Sequence, residues 1–190
     1  MLLASLPSLA AAAGPLVLEE KAKINVPDAS YVISQSVAID GDWLIAAWAK
    51  QLPEQNYALD TAAWLYRRQS NGNWQLVRRL VQHVGAPSSL QPMVVALQGS
   101  VAVVLKDHTS WIFERSGESW NPVTSPIQSN GYDVEVNGGT IVVTAGDQCE
   151  SISNSYRKGS GGAWQLVRST EPDLGGCERT INGDVDVSGS

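Results

Sequence analysis

The chain is built from short β-prone runs that meet at glycine-bearing polar pairs. Val37-Ala38-Ile39 leads through Asp40-Gly41-Asp42 into Trp43-Leu44-Ile45. Val95-Ala96-Leu97 leads through Gln98-Gly99-Ser100 into Val101-Ala102-Val103, and Val134-Glu135-Val136 through Asn137-Gly138-Gly139 into Thr140-Ile141-Val142. Arg179-Thr180-Ile181 leads through Asn182-Gly183-Asp184 into Val185-Asp186-Val187. Asp-Gly and Asn-Gly supply the positive φ of a two-residue hairpin turn, and Gln98-Gly99 is a poorer version. Each segment therefore predicts two antiparallel strands turning at Gly41, Gly99, Gly138 or Gly183. The turns recur at intervals of about 40 to 60 residues, which is the range of structural repeats.

A second pattern follows in the first three repeats. Ala63-Trp64-Leu65-Tyr66 leads through Asn71-Gly72 to Trp74, Ser110-Trp111-Ile112-Phe113 through Gly117 to Trp120, and Ser155-Tyr156 through a Gly/Ser stretch to Trp164. Each repeat thus reads as two hairpins in series, a four-stranded antiparallel meander. Such a unit, repeated, is a propeller blade. Second strands such as Trp43–Ala47 and Val101–Leu105 are apolar on both faces, as inner strands between neighbouring sheets should be. Fourth strands carry Arg78, Arg79 and Arg168, as solvated edges do. The expected fold is all-β, a β-propeller-like array of about three and a half blades. It divides into 14–35 (a lone strand like a fourth strand, with a linker), 36–84, 93–126, 132–170 and a partial unit at 178–190.

Composition narrows the functional classes. Of 190 residues, 43% are apolar and 17% charged, which excludes a disordered chain. The net charge is −6 and no cationic run exceeds two residues. That argues against a nucleic-acid partner and against a polybasic membrane surface. Leu2–Leu9 is mostly apolar, small residues follow to Gly14, and the first charge is Glu19. Residues 1–13 therefore resemble a secretory signal, although the usual basic start is missing. No later run approaches the roughly 20 apolar residues of a membrane helix. The expected location is secreted, periplasmic or extracellular. Cys149 and Cys177 then suit one disulfide, with two unpaired thiols as the alternative. They do not form a zinc site, having no second pair or suitably spaced histidine.

No catalytic motif is present. His83 and His108 read as loop residues, near no nucleophile elbow, catalytic cysteine or zinc-protease helix. Gly159-Ser160-Gly161-Gly162 is a turn rather than a phosphate loop. Asp40 suits its turn sterically. The tryptophans at repeat positions read as packing between blades. The most informative residues join the second and third strands of each unit, because such loops converge on one face of a propeller over a rigid scaffold. The first carries Lys50, Glu54, Asn56, Tyr57 and Asp60, the second Lys106, Asp107 and His108, and the third Asp147 and Glu150. This mixed polar surface with an aromatic suits a protein or glycan partner.

The stretch Ser36–Ala47, then Ala63-Trp64-Leu65-Tyr66, then Trp74 resembles the FG-GAP repeat family, the β-propeller repeats also found in integrin α-chain heads. The likeness is nearest to its secreted bacterial branch and covers roughly residues 36–190. It implies a propeller used in binding or cell adhesion. The Phe-Gly pair that names the family is replaced by Gln35-Ser36, and its acidic calcium loop is incomplete. Asp184-Val185-Asp186 imitates that loop's first half but alternates like a strand, so no metal or other cofactor is expected, with calcium as the alternative. Closed propellers have four to eight blades. The chain is then a fragment of a longer propeller, a half-ring completed by a second copy, or an open array. The leading functional expectation is a non-enzymatic binding scaffold. The alternatives are a glycan-active hydrolase or lyase using acidic loop residues, and a structural spacer in a longer surface protein.

Overall fold

The structure is a computed structural model. It describes residues 24, 32–52, 58–85, 92–123, 125–128, 131–146 and 151–170. The described residues are all-β, with no helix, and form three antiparallel sheets in chain order. The first comprises β1 (Val32–Asp40), β2 (Trp43–Leu52), β3 (Ala58–Arg68) and β4 (Trp74–Gly85). The second comprises β5 (Val94–Gln98), β6 (Val101–Lys106), β7 (Thr109–Ser116) and β8 (Ser119–Pro122), with a short β9 (Ile127–Gln128) also pairing β7. The third comprises β10 (Gly131–Asn137), β11 (Thr140–Gly146), β12 (Ser151–Lys158) and β13 (Trp164–Thr170). Each sheet is a meander of consecutive strands, and none closes on itself.

Turn chemistry explains the meander. Gly41, Gly99 and Gly138 hold φ of 56°, 59° and 54°, where an L side chain is strained. These turns and those joining third to fourth strands lie at one end of the sheets. The connections between second and third strands emerge at the other.

Strand register sorts the side chains into faces. In the first sheet Ala38 pairs Ile45 and Ile45 pairs Leu65, all turned toward the second sheet. Val37 and Ile39 point the other way. In the second sheet Val95, Leu97, Ala102 and Val104 face the first, while Ala96, Val103, Leu105 and Ile112 face the third. Val134, Val136, Ile141, Val143 and Tyr156 return that contact. The central strands are thus apolar on both faces because each face meets a different neighbour. The first strands lie side by side, β5 touching both β1 and β10.

Neighbouring turns are also tied together. The Asp40 carboxylate accepts a hydrogen bond from the Gly99 N–H. Gln98 Oε1 accepts one from the Gly138 N–H at 2.6 Å. Asp40 and Gln98 occupy the same repeat position, so one device recurs at both interfaces. Gln98, a weak turn former, thus reaches the next sheet's turn. At the first interface Ser36 Oγ accepts from the Val95 N–H at 3.2 Å.

Four loop expectations need correction, one of them Lys106, which ends β6 and pairs with Thr109. Lys50 lies in β2 and Asp60 in β3, where they are cross-strand partners. His83 lies in β4, opposite Thr61. The strands run further than their apolar cores because polar residues continue the backbone ladder beyond Trp48. Cys149, Cys177 and the disulfide expected between them lie outside the described residues, as do the partial unit with Gly183 and most of the strand and linker expected over 14–35, of which Val32–Gln35 belong instead to β1. No helix among the described residues is long and apolar enough to cross a membrane.

Candidate functional site

The end opposite the glycine turns gathers side chains from all three sheets. Its centre is the two-residue turn Asp107-His108 between β6 and β7. Lys106 and Thr109 pair across it. Asp107 has φ of 48° and His108 of 64°, both in the left-handed region. Asp and His enter that region more readily than most residues, but glycine would do so without strain. The hairpin therefore holds a carboxylate and an imidazole at a place where backbone comfort favours glycine.

Each side chain of the turn has a distinct environment. Lys106 precedes it on β6 and is only 2% exposed. Its Nζ lies 3.1 Å from Asp107 Oδ1, which gives this buried ammonium a counter-charge. The other carboxylate oxygen, Oδ2, lies 3.0 Å from Nε2 of His83 in the first sheet. Register places His83 on the face turned toward the second sheet, so its position in β4 brings it to Asp107. Asp107 thereby uses one oxygen within its own hairpin and the other to link the second sheet to the first.

His108 faces the third sheet's entry. Its ring meets Tyr132 edge-on, with centroids 6.1 Å apart and planes at 79°. Its Nδ1 is buried with no hydrogen-bond partner among the described residues. Tyr132 sits at a β-bulge, since the register of β10 on β11 shifts between Gly131 and Asp133. A bulge re-aims a side chain, and Tyr132 is left 50% exposed. Gly131 is required beside it, because a Cβ there would collide with the buried Val143 side chain. The result is an exposed phenol beside an imidazole and a fixed carboxylate.

The residues expected to bind divide in two. Lys106, Asp107 and His108 come together with His83 and Tyr132. Lys50 and Asp60 project to the opposite face of the first sheet. There Asp60 accepts a hydrogen bond from Gln82 Nε2 at 2.9 Å, and Trp48 stacks on Trp64 with centroids 5.9 Å apart. Glu54, Asn56, Tyr57, Asp147 and Glu150 lie outside the described residues. Sequence reasoning missed His83 and Tyr132. The available signal was the Gly131-Tyr132 pair just before an apolar strand, which marks a bulge.

Among the described residues no group of three or more His, Cys, Asp or Glu is placed to hold a metal ion. No family model matches the chain, and no curated protein matches it.

Proposed function

We propose that the chain is part of a β-propeller of FG-GAP type and serves as an exported, non-enzymatic binding scaffold. It reads a protein or glycan through the end that carries His83, Asp107, His108 and Tyr132. One observation carries this reading. The turn that presents Asp107 and His108 is strained without glycine, whereas the turns at Gly41, Gly99 and Gly138 are relaxed with it. Strain held at one place is a pointer to function there. Three antiparallel sheets side by side, with their first strands adjacent, support the propeller architecture. The apolar start of the chain supports export.

The chemistry favours binding over catalysis. Both oxygens of Asp107 are engaged, by Lys106 and by His83, so the carboxylate acts as a tie. Tyr132 and the His108 ring supply a partly exposed aromatic surface. Aromatic rings beside hydrogen-bonding groups suit a sugar face or a protein side chain.

The test separates binding from folding. His108→Gly relieves the positive φ, so the thermal midpoint should hold or rise. Tyr132→Ala removes an exposed ring with little effect on folding. On an array of soluble polysaccharides and immobilised extracellular glycoproteins, each variant should lose at least about tenfold in affinity for whatever the parent chain binds, the loss expected when an aromatic anchor is removed. Binding that survives both substitutions overturns the site.

A further inference from the structure

The outer part of the interface between the first and second sheets gathers positive charge, in a chain whose net charge is −6. Strand register sets this up. Arg67 stands opposite Trp43, Arg78 opposite Leu65 and Arg115 opposite Trp120. Trp43, Leu65 and Trp120 all belong to the core between these two sheets, so the three arginines face one interface. They sit toward its glycine-turn end, away from His83, Asp107, His108 and Tyr132.

The partners of these groups are unequal. Arg67 pairs with Glu118. Arg78 Nη1 donates to the Trp120 carbonyl at 3.1 Å, which brings no counter-charge. The Arg115 guanidinium has no ion pair and no side-chain hydrogen bond among the described residues. It rests on two indoles, 5.7 Å from the Trp43 centroid and 5.8 Å from that of Trp120. The other acids nearby are committed elsewhere. Asp42 pairs with Arg68 at 3.5 Å, and Asp40, on the inner strand β1, accepts from the Gly99 N–H. Three guanidinium groups thus meet one carboxylate, that of Glu118, and two positive charges are left over. Cation–π contact offsets part of their desolvation but leaves N–H donors unspent. A second observation points the same way. Trp120 is only 2% exposed, yet its indole N–H is buried with no hydrogen-bond partner among the described residues. The place stays reachable from solvent, since the Arg67 side chain is 43% exposed and Arg78 is exposed.

An anion completes this arrangement. Guanidinium N–H groups match the oxygens of carboxylate, sulfate and phosphate. Donors that come from β3, β4 and β7 approach from three directions, which fits a tetrahedral oxyanion better than a planar carboxylate. The two surplus charges fit phosphate, which carries about −1.5 to −2 at neutral pH as a monoester. We propose that Arg67, Arg78 and Arg115 form a phosphate-binding site at the outer rim of the first interface. Its ligand is the free ion or the same group carried as a monoester. This site is separate from the end that carries His108 and Tyr132 and stands without it.

The arginine Nε–H signals in an NMR titration of the full chain read the site directly. Inorganic phosphate, exchanged for chloride at constant ionic strength and neutral pH, should shift the Arg115 signal along a saturable curve. Arg115→Lys identifies that signal by removing it. The lysine keeps a cation over the two indoles, and so keeps the fold, but lacks the planar fork. Phosphate affinity, then read from Arg67 and Arg78, should fall by about tenfold or more, the loss of a charge-assisted hydrogen bond. Arg78→Gln, at an exposed position, should weaken phosphate in the same sense and leave the thermal midpoint in place. A shift that does not saturate, or that chloride reproduces, is screening only and overturns the site. Unchanged affinity in both variants overturns it as well. Glucose 6-phosphate separates the two sources. Tighter binding than inorganic phosphate assigns the site to an esterified group, and equal or weaker binding assigns it to the free ion.

Discussion

The interface between the first and second sheets and that between the second and third share one register but use different chemistry. The first is aromatic and cationic. Trp43 meets Trp120 edge-on, with centroids 5.7 Å apart, and Arg67 and Arg115 lie over the Trp43 ring. Arg78 Nη1 donates to the Trp120 carbonyl at 3.1 Å, and Arg67 pairs with Glu118. The second is aliphatic and closed by an acid. Val103, Leu105 and Ile112 pack on Val134, Ile141 and Val143. Glu114 accepts from Lys158 Nζ at 2.6 Å and from the Trp164 indole N–H at 3.0 Å. Arg67 and Glu114 occupy the same repeat position with opposite charge. A repeat protein with identical interfaces has no internal register, because any sheet would fit any neighbour. Inverting the charge while keeping the turn-to-turn hydrogen bond lets one backbone plan specify an order of sheets.

The largest way to break this comparison is at the repeated tryptophan that starts the fourth strand. Trp120 is buried within the first interface. Trp164, its equivalent, is half-buried and packs at the margin of the second core. Trp120→Ala should cost about 3–5 kcal/mol, because removal of a buried indole leaves a cavity and strands Arg115 and Trp43. Trp164→Ala should cost distinctly less, about 1–2 kcal/mol, mostly packing at a partly solvated position. Urea unfolding of the two variants decides it. Equal losses would mean that the two interfaces do not differ in how much they bury.

How much of this was legible in the sequence follows from where the physics is local. The turns at Gly41, Gly99 and Gly138 were legible because a two-residue hairpin needs positive φ and the sequence names the residues that supply it. The aromatic third strands and the tryptophans at the starts of fourth strands were legible because their spacing recurs. The extent of β2 and β3 was not. Lys50 and Asp60 look like loop residues, yet each sits opposite the other in a ladder that polar residues can continue. Asp40 and Gln98 were readable as turn formers but not as ties to the next sheet, since that role needs a neighbour. For the same reason only half of the candidate site could be anticipated. Lys106, Asp107 and His108 are contiguous, whereas His83 and Tyr132 reach them through sheet packing and a bulge.

The ion pairs offer a finer test. Arg67 and Glu118 have side chains 43% and 66% exposed, so Glu118→Ala should cost no more than about 0.5 kcal/mol. Glu114 does more, because it also satisfies the Trp164 indole N–H. Glu114→Ala should cost about 1–2 kcal/mol, the penalty of a part-buried donor without a partner. Glu114→Gln, which keeps an acceptor, should recover about half of it. If Glu118→Ala and Glu114→Ala cost the same, the inverted charge has no energetic weight and serves order alone.

The smallest effect at neutral pH belongs to the aromatic position of the third strand, and it grows only in alkali. Tyr66, Phe113 and Tyr156 occupy this position in the three sheets. Burial raises the hydroxyl pKa of both Tyr66 and Tyr156 above the ordinary value of 10.0, because desolvation disfavours the phenolate. The sign follows by linkage. A folded-state pKa above the unfolded one means that the folded chain holds the proton more tightly. The stabilisation is complete below the ordinary value of 10.0 and is lost as pH rises through the raised pKa of the folded state. The second interface contains Tyr156, while the first has Phe113, which cannot ionise. The second should therefore be the more alkali-sensitive of the two. Tyr156→Phe should change the unfolding free energy from urea titration little at neutral pH, by about 1 kcal/mol or less, and should flatten its fall in alkali. Phe113→Tyr should steepen that fall by installing at the first interface the ionisation that the second already carries. A Tyr156→Phe variant that weakens with rising pH as steeply as the parent would show that alkaline loss arises elsewhere, and the two interfaces would then differ in charge and packing but not in their response to pH.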